Sequence, residues 1–445
     1  MARMKSIAST VLLGLCWLAA ACNATAAPDI VDGWTQGHSL DGMWMLAPDP
    51  QNIGRENQWC NGPVPEAKST KVPWIIQDAF PKYHGAAWYW RSFDAPPNRY
   101  SNGRYILRFW AVDYAAEVWV NGMSVGGHEG GVSMFELDAT DAVLPNGQNM
   151  LAVRVLNPTD DPIDGIALKE TPHRNKVNNY WAGASFNQGG IMDSVELLVV
   201  PPVRIKDLFV RANPATGEVH VETFVQNALD HRVDIGMECR MAPAREGTYI
   251  HSSGQENLFV APGVTTLHNV MRVSRPHLWD LNNPYLYRVT ARLWAPNDVD
   301  FGDERSVRCG FRDFRFENGC FRLNGRRIFL RSSHTGNHCP LGLQLPHDPN
   351  LIRRDIINVK AMGFNAMRFI AGVGTRYQLD LCDEIGLLVY EEPYAAWCLE
   401  NSPQMAARFD ESVFGMILRD RNHPSIVIWG DRKSTRLNSS HTDIS

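Results

Sequence analysis

The strongest constraint in this sequence is a change of pattern near residue 328. Ahead of it, short apolar runs alternate with turn signals; behind it, strand-like runs alternate with helix-like ones. Ile328 to Arg331 reads as a buried strand. Asp348-Pro349 then carries helix-start chemistry, with Asp as N-cap and Pro at the first helical position. Ile352, Ile356 and Val359 share one face, and Gly363 ends the helix after Met362. Phe364 to Ile370 is the next strand. Tyr377 to Ile385 is a helix closed by Gly386, and Leu387 to Glu391 is a third strand. Ser402-Pro403 opens a helical stretch reaching about Arg419, and Ile426 to Trp429 is a fourth strand. This alternation predicts a parallel sheet. Four strands and three crossovers are enough to begin an eightfold barrel, which usually takes ~250 residues. The expectation is therefore an incomplete TIM barrel over 313–430.

The residues before it read as all-β. Arg104 to Trp110 is a strand. Glu117 to Val120 leads into Asn121-Gly122, a pair that supplies the two positive φ angles of a tight hairpin. Met150 to Leu156 follows a turn at Pro145-Asn146-Gly147. Short strands with such turns predict a sandwich or jelly roll over 27–202. Pro201-Pro202 reads as a linker, because proline cannot sit in a central strand. Glu218 to Val225 and Tyr285 to Leu293 alternate with period two. A span of 203–312 suits a seven-stranded immunoglobulin-like sandwich. Phe314 to Glu317, Cys320 to Leu323 and Arg326 to Leu330 then form a meander whose turns are Asn318-Gly319 and Asn324-Gly325. Two such turns set the register tightly.

The first residues predict an address rather than a fold element. Arg3 and Lys5 precede an apolar run from Val11 to Cys22, and Ala24-Thr25-Ala26 resembles a cleavage site, so 1–26 reads as a signal peptide. The run is too short to span a bilayer, and no later segment is long enough. A secreted or periplasmic product is expected. Lipid anchoring at Cys22 is the weaker alternative, because three alanines make a poor lipobox. The last residues, 431–445, are polar and aperiodic and resemble translated adapter sequence; they are expected to be an artefact.

Composition mainly excludes. A formal net charge of −5 over 445 residues gives no reason to expect nucleic acid. Outside the leader, Cys60, Cys239, Cys309, Cys320, Cys339, Cys382 and Cys398 are scattered with no CxxC, so no metal site is expected. An oxidising compartment permits a disulfide, and an odd number leaves a free thiol. No cofactor is implied.

Six motifs in order then resemble glycoside hydrolase family 2, which includes β-galactosidases and β-glucuronidases. Leu40-Asp41-Gly42-Met43-Trp44 resembles that family's opening, and Gly85 to Arg91 (GAAWYWR) resembles its aromatic strand. Val112-Asp113-Tyr114 through Asn121-Gly122, with Gly126 to Gly131 and Phe135, resembles its sugar-binding core. Leu278-Trp279 and Asn283 to Tyr287 resemble the end of its immunoglobulin-like domain. Gly310-Phe311-Arg312 with Phe321 to Gly325 resembles its barrel entry. Arg421-Asn422-His423-Pro424-Ser425-Ile426 resembles the segment before its acid/base glutamate.

Retaining glycosidases need two carboxyl groups about 5 Å apart across the scissile bond. The resemblance implies an acid/base glutamate a few residues after Trp429 and a nucleophile on a later strand. Asp431-Arg432-Lys433 stands there instead, so both catalytic groups are expected to be missing and the chain to be an inactive fragment. Glu391 and Glu392 cannot replace them, since neighbouring strand residues face opposite ways. The resemblance leaves a set of candidate substrate-binding residues at the barrel mouth. Arg368 either holds sugar or an active-site carboxylate, or forms a structural ion pair. Glu392 either serves the substrate site or pairs with Arg368 alone. His334 and His338 follow the first strand, where relatives place a site histidine, and Trp397 either stacks on sugar or packs under its loop. The family's H-x-P after the arginine strand is replaced here by Phe369 to Gly374 (FIAGVG), which leaves the sugar open.

In the first sandwich, Trp88, Tyr89 and Trp90 read mainly as core, and Asp113 and Asn121 as structural. Asn157 and Asp164 lie in a loop that reaches toward the site in relatives. His423 reads as packing at the barrel bottom. Three functions fit: a truncated glycosidase acting on terminal β-linked sugars, a non-catalytic carbohydrate-binding protein using the jelly roll, or a purely structural sandwich array. Oligomeric state is open.

Overall fold

A computed structural model describes residues 36–172, 187–245, 247–295, 298–335, 348–370, 372–394 and 402–430. The expected leader and the polar 431–445 tail lie outside the described residues. No helix among the described residues is long and apolar enough to cross a membrane.

The first sandwich pairs a four-stranded sheet with a six-stranded one. Ala115–Val120 shows why the sheets stack. Ala116, Val118 and Val120 are buried while the residues between them are not, so one face of the strand enters the core. Gly85–Asp94 differs, being buried on both faces over its first six residues. Tyr89 faces the inter-sheet core, whereas Trp88 and Trp90 face outward under a cover that includes Trp59 and Val64. Trp88 stacks on Trp119 at 4.9 Å between ring centroids. Its indole N–H donates to Asp49 Oδ2 at 3.0 Å, and that of Trp90 donates to Trp59 O at 2.7 Å. All three aromatic residues are core. The Asn121-Gly122 hairpin forms as expected, with φ of 52° and 79°.

Pro201 and Pro202 are both buried, so the junction between the sandwiches is a rigid joint rather than a loose linker. Glu136 accepts from Arg108 of its own sandwich at 2.9 Å and, across the joint, from Arg204 at 2.5 Å. Burial alone would raise the Glu136 pKa, but the two guanidinium charges outweigh it and hold the carboxyl at about 2. Among the described residues the second sandwich has the expected seven strands, in sheets of three and four.

The meander follows with both Asn-Gly turns in place: Asn318 and Gly319 have φ of 52° and 74°, Asn324 and Gly325 of 50° and 78°. Four parallel strands then lie side by side in chain order: Ser332–Thr335, Ala366–Phe369, Leu388–Glu391 and Ile426–Trp429. Asp348 caps the helix Pro349–Ala361 by accepting from the amides of Asn350 and Leu351. Thr375 and Gln378 form a capping box at the start of the helix Arg376–Ile385, which ends at Gly386 with φ of 81°. This is an incomplete TIM barrel.

Two expectations need correction. Ile328 to Arg331 is not a buried barrel strand. Ile328 instead pairs with Phe321 in the meander, the barrel ladder begins at Ser332, and Phe329 is 81% exposed. Among the described residues Ser332–Thr335 pairs on one side only, and its residues are largely exposed. Ser402-Pro403 is also not the helix start: Ser402 O accepts from Met405 N in a turn, and the helix runs Met405–Asp420.

Candidate active site

The site is built from the C-terminal ends of the parallel strands, where such barrels carry their chemistry. The second and third strands alternate between two surroundings. Met367, Phe369 and Val389 pack against the helices, while Ala366 and Leu388 join Trp279 on the concave side. Arg368 and Tyr390 therefore face the concave side one step further up, and the ladder sets His334, Arg368 and Tyr390 in one row.

Arg368 and Glu392 meet there. Arg368 Nε donates to Glu392 Oε1 at 2.6 Å, and an Nη2 of the same guanidinium reaches the same oxygen. Glu392 is only 2% exposed, so the Arg368 guanidinium rather than bulk water meets this carboxyl oxygen. The guanidinium carbon also stands 4.9 Å from the centroid of Tyr390. Gly430 closes the cluster. A Cβ there would lie 2.4 Å from Tyr390 Cε2 and 2.7 Å from Glu392 Cγ, so a side chain could enter only if one of them moved.

Glu391 points the other way. It is fully buried on the helix side, accepts from Gly374 N at 2.9 Å, and lies 3.8 Å from Arg419. Burial and then the nearby charge of Asp420 push its pKa well up, against the pull of Arg419. The two adjacent glutamates thus serve opposite faces, as strand geometry requires, and cannot flank one glycosidic oxygen.

His334 is exposed beside Arg368 in the ladder. His338 and Trp397 lie outside the described residues. Tyr390 and Gly430 complete the site but were not anticipated from sequence. Tyr390 was readable, being two residues before Glu392 on the same strand face; Gly430 was not. Asn157 is buried and hydrogen-bonded to Gln77, His84 and Asn187. Asp164 is engaged by Arg55 and Arg154. Both hold the sandwich loop in place.

At the opposite end, Asp380, Asp383 and His423 place oxygen and nitrogen atoms within 4.8 Å of one another. Protein groups already occupy them: Arg308 on Asp380, and His423 with the Ser425 amide on Asp383. That arrangement binds strand to helix. Among the described residues, five of the cysteines are free thiols: Cys60, Cys239, Cys309, Cys320 and Cys382.

Three family models match the chain end to end. The model for the sugar binding domain of glycosyl hydrolases family 2 matches 38–201, that named simply glycosyl hydrolases family 2 matches 203–312, and that for the family's TIM barrel domain matches 314–431. The chain belongs to glycoside hydrolase family 2. Similar proteins include a β-galactosidase from Thermoanaerobacter pseudethanolicus, 28% identical over 81% of this chain and 46% of its own length. A β-glucuronidase from Paenibacillus borealis is 26% identical over 88% of this chain and 66% of its own. The chain spans 45% to 66% of the length of the curated relatives it matches. Among solved structures, a β-glucuronidase from Bacteroides uniformis aligns with a TM-score of 0.75 over 89% of this chain and 47% of its own, at 24% identity. One from Ruminococcus gnavus, in complex with D-glucuronic acid, aligns at 0.74 and 24% identity over 91% of this chain and 68% of its own. These likenesses carry the three-domain family 2 fold.

Proposed function

We propose that this family 2 chain supplies the sugar-binding domain, the immunoglobulin-like domain and the first part of the barrel of a retaining exo-glycosidase acting on terminal β-linked sugars. The observation that carries the reading is the Arg368–Glu392 pair at the C-terminal strand ends. It presents guanidinium donors on the concave face, where a sugar hydroxyl or carboxylate would be held, with Glu392 setting their direction. Relatives named β-glucuronidase and β-galactosidase both support a terminal β-linked sugar and leave its identity to experiment.

Retention needs two carboxyls facing each other across the bond. Among the described residues the strand ends carry only Glu391 and Glu392, on opposite faces. The 445-residue chain is therefore expected to turn over neither nitrophenyl β-glucuronide nor nitrophenyl β-galactoside. Hydrolysis by a clean preparation overturns this assignment. Sequencing past the codon for Gly430 tests the larger reading. An Asn-Glu within a few codons supports the glycosidase; a stop codon supports a carbohydrate-binding protein instead. Burial of Trp88, Tyr89 and Trp90 leaves that alternative without those three rings as a stacking platform.

The leader 1–26 supports export to the periplasm or medium. Cell fractionation tests it: retention of the full-length precursor in the cytoplasm sinks the export reading.

A further inference from the structure

The first sandwich touches the barrel close to its mouth, and it does so through three kinds of contact. Asp193, beyond the end of the sandwich strand Gly190–Ile191, receives Arg376 in a two-bond pair at 3.0 and 3.2 Å. That guanidinium also lies 3.7 Å from the centroid of Trp110. Glu129 receives Arg408 at 2.5 Å and the Tyr114 hydroxyl at 2.9 Å. An apolar plug, in which Val132 of the sandwich packs with Val373, Tyr394 and Met416 of the barrel, adds to these two ion pairs.

The plug's position matters. Val373 belongs to the turn that follows the Arg368 strand, and Tyr394 stands two residues beyond Glu392. The same turn is held from the helix side of the sheet by both ends of one residue. Gly374 N–H donates to Glu391 at 2.9 Å, and Gly374 O accepts from Arg419 at 2.7 Å. A Cβ on Gly374 would come to 3.0 Å from Leu379 and Phe369, so the turn packs closely on both. On the sandwich side, Ser133 lies against Gly415, where a Cβ would approach its side chain to 2.8 Å. The turn is thus gripped between Glu391 and Arg419 beneath it and Val132 and Asp193 beside it.

We propose that the sandwich is a positioning part of the barrel mouth: Val132 and Asp193 hold the Gly372–Arg376 turn and Tyr394, and through them the Arg368–Glu392 pair. Asp193 and Val132 are positioning residues; neither needs to touch sugar. The consequence for sugar rests on the function proposed above, whereas the docking of the turn does not.

Hydrogen–deuterium exchange on the 445-residue chain tests the docking without any ligand. In a Val132→Ala, Asp193→Asn double variant, the amides of Gly374 and Thr375 should exchange about tenfold faster, as expected for local opening. Amides of Val289 and Val307 in the second sandwich should stay unchanged, and Asp193→Glu, which keeps the charge, should retain most of the protection. Unchanged exchange at Gly374 overturns the proposal, as does an equal loss of protection in both domains. In parallel, methyl β-D-glucuronide and methyl β-D-galactoside are titrated against both proteins. Weaker binding by the variant supports positioning of the site, and equal binding overturns it. If the parent chain binds neither glycoside, the proposed function fails, while the exchange result still decides whether the sandwich docks the turn.

Discussion

His423, just ahead of the fourth barrel strand, lies with Nδ1 2.6 Å from Asp383 Oδ2 on the helix Arg376–Ile385. The same carboxylate accepts from Ser425 N at 3.0 Å, and the Asp383 carbonyl accepts from the Trp279 indole at 2.9 Å. One aspartate therefore joins helix, strand and second sandwich.

Its pH dependence has a definite sign. Burial works against the charged imidazolium, but Asp383 outweighs it through charge and hydrogen bond, with Asp380 and Asp420 adding, and the His423 pKa rises to about 9. A pKa raised in the folded state gives stability that is complete below the unfolded value near 6.5 and lost as pH climbs through 9. The pair contributes at most about 3 kcal/mol, trimmed by the 17% of the side chain still open to water. Urea midpoints between pH 6 and pH 10 should fall for the parent and stay flatter for His423→Gln. Parallel curves for the two proteins refute the assignment.

The Arg368–Glu392 pair should behave as a buried ion pair. Arg368→Ala takes a guanidinium away from a carboxyl that is 2% exposed, so it should destabilise the chain by up to about 3–5 kcal/mol. Arg368→Ala with Glu392→Gln should cost less than Arg368→Ala alone. A double-mutant cycle by urea unfolding measures the coupling, and a value near zero dismisses the pair.

Gly430→Ala tests the crowding around the same pair. The added methyl would sit 2.4 Å from Tyr390 and 2.7 Å from Glu392, so one of them must shift. An overpacking cost of about 1–3 kcal/mol is expected, with a loss of any Arg368-dependent sugar binding. An alanine variant with unchanged stability and binding means the space is there.

Trp88→Ala separates core from platform. Trp88 is fully buried, bonded to Asp49 and stacked on Trp119, so truncation should cost about 3–5 kcal/mol in the first sandwich. Thermal melts followed by tryptophan fluorescence read this out. A loss of sugar binding with no change in melting would restore the platform role.

Sequence by itself determined the order of domains and much of their local structure. Asn121-Gly122, Asn318-Gly319 and Asn324-Gly325 each take the left-handed pair of angles, because that preference belongs to the residues. Asp348 with Pro349 and Gly386 mark helix ends for the same reason. Only the tertiary structure decided that Gly430 packs on Tyr390 and Glu392, and that Asp193 and Val132 of the sandwich grip a barrel turn. Those contacts link residues far apart in the chain. Which distant groups meet depends on how whole sheets twist and stack, and no local pattern of residue types records that.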